Sequence, residues 1–224
     1  MTFSISARCP QSGMFGIAIS SSSPAVAARC AHAKAGVGVV ASQNITDPAL
    51  GQRGLALMAS GLSAEQALQE LLKDYSFGAW RQLALIDGNG LTAGFSGEKA
   101  LGIHAIAQGE NAIVAGNLLE NDTVPARMLA AFEASGGALG GRLIGAMRAG
   151  MAAGGEAGPV HSAGLYLVRD VSWAVADLRI DWTDNDPIEE LSQLWDRYKP
   201  QLEDYVNRAI DPRLAPSYGV PGDE

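Results

Sequence analysis

Thr2 follows Met1 directly, and so small a second residue permits removal of the initiator methionine. A threonine hydroxyl is a weak nucleophile unless a base stands beside it. Removal of Met1 leaves Thr2 with a free α-amine, a group of ordinary pKa about 7.7–8.0. Nucleophile and base then share one residue, which is the N-terminal threonine route to covalent catalysis. The competing reading is that Thr2 merely begins an ordinary strand. Other residues could serve such a centre. Ser21, Ser22 and Ser23 would end beside Thr2 if the first hairpin pairs in register, and one of them could hydrogen-bond the amine. Asn117 follows Gly116 at a strand end, where it either lines a cleft or forms a turn. Glu156 lies in a Gly-rich loop with His161 and Ser162 nearby, but adjacency in sequence is not triad geometry, and no G-x-S-x-G elbow occurs. His104, in an apolar run, is expected to be a core histidine, and His32 to be exposed. Cys9 and Cys30 read as small apolar fillers.

Composition narrows the classes. With 224 residues and 47% apolar content, one domain with a substantial core is expected, spanning 1–210 with an extended tail over 211–224. A net charge of −8 with scattered basic residues argues against nucleic acid and against an anionic membrane surface. Two cysteines without ligand spacing give no disulfide framework, metal site or cofactor motif. Residues 9–28 are uncharged and end in Ala25-Val26-Ala27-Ala28, which looks like a signal cleavage site. The apolar run is short, however, and Ser20–Ser23 and Pro24 break it, so no cleaved signal, no membrane span and a cytoplasmic location are expected.

The elements that must position Thr2 follow from periodicity. Phe3 and Ile5 alternate with Thr2, Ser4 and Ser6, giving a first strand with one apolar face. A turn at 9–13 leads to a second strand over 14–20, and small and β-branched residues at 36–42 make a third. Residues 25–35 are ambiguous, Ala-rich enough for a short helix. Two helices are expected over 48–74, the second opened by a Ser63/Gln66 capping box. Residues 81–86 and 91–95 flank Asp87-Gly88-Asn89-Gly90 as a hairpin. Strands at 103–107 and 112–115 precede two more helices, and strands at 163–168 and 173–180 precede a last amphipathic helix interrupted by Pro200. Strict βαβ alternation is absent. Hairpin-rich β blocks separated by helix pairs fit an α+β protein, a four-layer α/β/β/α sandwich of two antiparallel sheets.

Several stretches recur together in one order: Thr2-Phe3-Ser4-Ile5, Gly36 to Gln43, Gly51-Gln52-Arg53-Gly54-Leu55, Arg81-Gln82 with Ile86-Asp87, Gly116-Asn117-Leu118-Leu119 and Glu156 to Gly164. The set resembles the family of domain of unknown function 1028, similar to the N-terminal nucleophile hydrolase superfamily. The resemblance implies the same four-layer fold and hydrolysis of an amide, with a small amide-like molecule as substrate; it leaves homo-oligomer formation open. It also implies oxyanion donors at Ser42-Gln43-Asn44, from backbone N–H groups and the Asn44 amide, and it implies that Lys34 tunes the Thr2 amine. A solvated lysine at a strand entry is the alternative for Lys34. No acid among residues 9–35 is evident to orient the amine. Two rival readings stay open: a non-catalytic protein that binds a small ligand or partner, and a hydrolase that uses Glu156 and His161.

Overall fold

The computed structural model describes residues 1–222. Strand β1 (Thr2–Arg8) pairs antiparallel with β2 (Phe15–Ser21) on one side and with β8 (Ala112–Leu119) on the other. Beyond β2 lie β9 (Ser162–Val168) and β10 (Ala176–Ile180), and beyond β8 lies β7 (Ile103–Gly109). The six-stranded order is thus β10-β9-β2-β1-β8-β7, which puts the N-terminal strand in the middle. A second antiparallel sheet has the order β3-β4-β5-β6, from β3 (Ala31–Lys34), β4 (Gly38–Asn44), β5 (Arg81–Asp87) and β6 (Thr92–Ser96).

Alternation along the strands builds three apolar layers. Phe3, Ile5 and Ala7 of β1 pack towards α4 (Val124–Glu133), α5 (Leu139–Ala152) and α6 (Pro187–Tyr198), meeting Met128, Leu143, Met147 and Leu191. Val40, Leu83 and Leu85 pack on α2 (Pro48–Ala59) and α3 (Ala64–Leu72) through Leu50, Leu55, Leu68 and Leu71. Between the sheets, Phe15, Ile17, Ile113 and Ala115 meet Val39, Ala41, Ala84 and Ile86. This is the expected four-layer α/β/β/α sandwich.

Local signals hold where they were strongest. Ser63 and Gln66 form the reciprocal capping box of α3. The turn after β5 is fixed by the buried Asp87, whose carboxylate accepts from Asn89 N (2.9 Å), Leu91 N (3.1 Å) and Ala64 N at the start of α3 (3.0 Å). The ambiguous stretch splits into α1 (Val26–Cys30), which starts after Ala25 (φ 51°), and β3, because Ala31 leaves the helix for an extended conformation (φ −99°, ψ 119°). Strand β4 starts at Gly38 rather than at 36, since Gly36 (φ 69°) and Gly38 (φ 147°) form the β3–β4 turn. Trp173 lies before β10 and is exposed.

The two histidine expectations are reversed. His104 sits on edge strand β7 and is exposed, with Nδ1 3.0 Å from the Gly102 carbonyl oxygen. His32 is half-buried against Gly51, and burial holds its imidazole pKa below the ordinary value. After α6, helix α7 (Leu202–Ile210) adds Leu202 and Val206 to the core. The expected tail begins with a short helical turn, Pro212–Leu214, and is largely exposed to residue 222; its last two residues lie outside the described ones. Among the described residues no helix is long and apolar enough to cross a membrane.

Gly38 and Gly36 make a test of the turn. A Cβ on Gly38 would lie 2.1 Å from the Ile86 carbonyl oxygen, whereas one on Gly36 meets nothing within 4 Å. Gly36→Ala is expected to cost about 1 kcal/mol from φ alone. Gly38→Ala adds a backbone clash and is expected to cost at least twice that in urea unfolding.

Candidate active site

The inter-sheet layer changes character at one end of the sandwich. Along β4 the inward residues run Val39, Ala41 and then Gln43; along β5 they run Ile86, Ala84 and then Gln82; along β8 they run Ile113, Ala115 and then Asn117. On β1 the same face carries Ser6, Ser4 and Thr2, and β2 ends in Ser21. Five strands therefore end in buried polar residues on the inter-sheet face.

Those residues are joined. Ser4 Oγ donates to Gln43 Oε1 (2.8 Å), and Gln43 Nε2 donates to Gln82 Oε1 (2.8 Å). Asn117 Nδ2 donates to the same Gln82 oxygen (3.0 Å), while Gln82 Nε2 donates to Ser96 Oγ and to the Gly116 carbonyl oxygen, both at 2.9 Å. Ser4, Gln43, Gln82 and Asn117 are all buried. In such surroundings each lost partner costs about 1–3 kcal/mol, so the network holds its members in one arrangement.

Thr2 sits at the edge of this network, only 5% exposed. It lies directly opposite Asn117 in the β1–β8 register, where side chains on one face come within about 5 Å at Cβ. On its other side is Ser21, with the two hydroxyl oxygens 3.4 Å apart. The hydroxyls of Thr2 and Ser21 both donate to the Met1 carbonyl oxygen. The Met1 side chain lies over Gly158.

Glu156 reaches the same place from a distant loop. Its backbone bridges to Leu119, and Glu120 N and Ala157 N bond to Gly155 O (3.1 Å) and Leu118 O (3.0 Å), clamping the loop onto the end of β8. Glu156 Oε2 accepts from Ser22 N (3.2 Å), and Oε1 has no hydrogen-bond partner. Burial pushes this carboxyl up to about 7, against a lowering by the nearby N-terminal amine and by the Ser22 hydrogen bonds.

The remaining candidates lie apart or are otherwise engaged. Lys34 is exposed and pairs with Gly38, five residues before Gln43, which is about 16 Å along the strand. Asn44 has φ 74°, and its side chain spans Trp80 O (2.5 Å) and Leu101 N (3.1 Å). Ser42 Oγ donates to the Asp47 carbonyl oxygen (2.8 Å). His161 stacks on Trp182 at 4.3 Å with Nδ1 2.9 Å from Thr183 O, and Ser162 Oγ donates to Ser23 O (2.6 Å). The hydrogen-bond partners of Glu156, His161 and Ser162 are thus three separate sets. Gln82 and Ser4 were missed as site residues. Their signal was parity: Gln82 is in phase with Ala84 and Ile86, and Ser4 with Thr2. Among the described residues no group of His, Cys, Asp or Glu could hold a metal. A cavity of about 420 Å³ lined by Arg8, Phe132 and Arg142 lies at the other end of β1.

Residues 2–191 match the family of unknown function DUF1028, and the chain belongs to that family. The crystal structure of protein SPO2555 from Silicibacter pomeroyi, of the same family, is similar with 29% identity and a TM-score of 0.86, covering 92% of this chain and 90% of that one. Anbu (ancestral beta-subunit) from Yersinia bercovieri aligns at 12% identity and a TM-score of 0.41, over 91% of this chain and 97% of its own. Anbu from Hyphomicrobium sp. strain MC1 aligns at 13% and 0.38, over 92% and 99%. No match was found among curated proteins.

Glu156 gives the site a pH signature. Its folded pKa is raised above the unfolded one, so folding is penalised as pH rises through the interval between them. Relative to Glu156→Gln, the Met1-bearing chain is expected to lose roughly 2–3 kcal/mol of stability between pH 5 and pH 8. Urea unfolding at both pH values checks this; an equal difference at the two would contradict the assignment.

Proposed function

We propose that this chain is an N-terminal nucleophile hydrolase that cleaves the carbon–nitrogen bond of a small amide-like metabolite, with Thr2 as nucleophile once Met1 is removed. The observation that carries the reading is the convergence of the Thr2 and Ser21 hydroxyls on the Met1 carbonyl. That group is the one Met1 removal deletes, and the Thr2 nitrogen it leaves behind becomes a free amine in the same place. Thr2 Oγ then attacks the substrate carbonyl carbon while its proton passes to the α-amine, directly or through a water. The amine returns the proton to the departing nitrogen as the carbon–nitrogen bond breaks, leaving an acyl ester on Thr2. A water, deprotonated by the same amine, releases the acid. Because the Gln43 and Asn44 side chains are engaged elsewhere, main-chain N–H groups at the end of β4 are left as the oxyanion donors. Ser21, Ser22, Asn117 and Glu156 surround the reacting centre, and Lys34 is not part of it.

A second reading has its own observation. With Met1 attached, its carbonyl takes both hydroxyls and its side chain covers Gly158. A chain that keeps Met1 is a non-catalytic protein of the same fold, binding a ligand or partner. A panel of small amides separates the two. Thr2→Ala is expected to lose at least about a thousandfold in turnover, while Thr2→Ser keeps measurable turnover and Lys34→Ala stays within about twofold of the parent. Full activity in Thr2→Ala rules the proposal out.

A further inference from the structure

Among the described residues, four buried side-chain polar atoms have no hydrogen-bond partner: Ser6 Oγ, Arg8 Nε, Asn117 Oδ1 and Glu156 Oε1. Two of the four, Asn117 Oδ1 and Glu156 Oε1, carry no proton of their own and act as acceptors, and both belong to the surroundings of Thr2. Their orientations are constrained. The Gly116 carbonyl oxygen can only accept, so Gln82 must turn its nitrogen there and its oxygen towards Asn117. Asn117 must then present Nδ2 to Gln82, which leaves Oδ1 as the unpaired atom. Glu156 is held by its loop clamp and by Ser22 N–H, which takes only one of its two oxygens. A third acceptor, Ser21 Oγ, is next to Thr2 on the other strand.

An α-ammonium group has three N–H donors, and Ser21, Asn117 and Glu156 supply three acceptors from β2, from β8 and from the loop after α5. We propose that Ser21 Oγ, Asn117 Oδ1 and Glu156 form a socket for the α-amine of mature Thr2, with Glu156 as the positioning residue and proton partner of that amine. This rests on the Thr2 reading and deepens it. It also answers two features of the chain: no acid lies among residues 9–35, and Lys34, on β3, pairs with Gly38 at the far end of β4.

The proton balance is direct. An ammonium beside a carboxylate gives one proton to it, leaving a neutral amine and a neutral carboxyl, and the freed amine can accept the Thr2 hydroxyl proton during attack. Burial raises the Glu156 carboxyl above the ordinary carboxylate range, towards the α-amine range of about 7.7–8.0, which makes the exchange easier. The pair titrates in two joint steps rather than as two independent groups.

The test needs no substrate. Protein with a verified Thr2 N-terminus is labelled with trace isotopic acetic anhydride across a pH series, and N-terminal acetylation is read by mass spectrometry. Removing a neighbouring carboxylate lowers an amine pKa, so Glu156→Gln is expected to lower the apparent value by about one unit or more. Glu156→Asp is expected to shift it less in the same direction, and Lys34→Ala to leave it unchanged. An amine value unaffected by Glu156→Gln overturns the socket even if the protein hydrolyses amides. Should Glu156→Gln not fold, Glu156→Asp decides, and no shift there overturns it likewise. A chain that retains Met1 after treatment with methionine aminopeptidase overturns the parent reading and this inference together.

Discussion

A glutamine side chain can lie between two sheets only if every polar atom on it is paired. Gln82 meets that condition by reaching four groups: Gln43, Asn117, Ser96 and the Gly116 carbonyl. These contacts join β4, β5 and β6 of one sheet to β8 of the other, and the Ser4–Gln43 bond adds β1. Apolar packing along the rest of the inter-sheet layer tolerates small slips. A network of directional bonds in a low-dielectric interior does not, because each slip leaves a buried group unpaired. The position of Asn117 beside Thr2, and of Thr2 beside Ser21, follows from that register.

The cost of this arrangement is concentrated around the N-terminus. Thr2, Ser21, Asn117 and Glu156 are all buried, and the carboxylate among them takes only one main-chain N–H with one oxygen. With Met1 attached, a backbone carbonyl occupies the space between the two hydroxyls. A neutral carbonyl can take their hydrogen bonds but can offer nothing to Glu156 or to Asn117 Oδ1. A free ammonium on Thr2 reverses that balance by donating to both, whereas the Met1 amine acts on Glu156 only through its charge. The chemistry proposed for the site and the energetics of its burial therefore depend on the same covalent bond.

Much of the architecture was legible in the residues. Period-two alternation in 2–6 located β1 and its polar face, the Ser63/Gln66 pair located the start of α3, and Asp87-Gly88-Asn89-Gly90 located the β5–β6 turn. The departures have local causes. The 25–35 stretch mixes helix-forming alanines with a left-handed turn at Ala25 that composition does not reveal. His104 was misplaced because a run of apolar neighbours says nothing about whether a strand lies at a sheet edge. For the candidate site, the placement of Thr2, Ser21 and Asn117 near one another was recoverable from position at strand ends, and that of Gln82 from its phase with Ala84 and Ile86. Lys34 and Asn44 were not, since their roles depend on which end of β4 faces Thr2 and on a φ that commits the Asn44 side chain to Trp80 and Leu101. Glu156 lies 154 positions from Thr2, and only the clamp onto β8 brings it there.

On the function proposed here, this end of the sandwich holds Thr2 as the N-terminal residue. Intact-mass analysis of the purified protein, with sequencing of its first residues, tests it most directly. The expected chain is shortened by one methionine and begins Thr2-Phe3-Ser4. A homogeneous chain still beginning Met1-Thr2, and unchanged by methionine aminopeptidase, would contradict it.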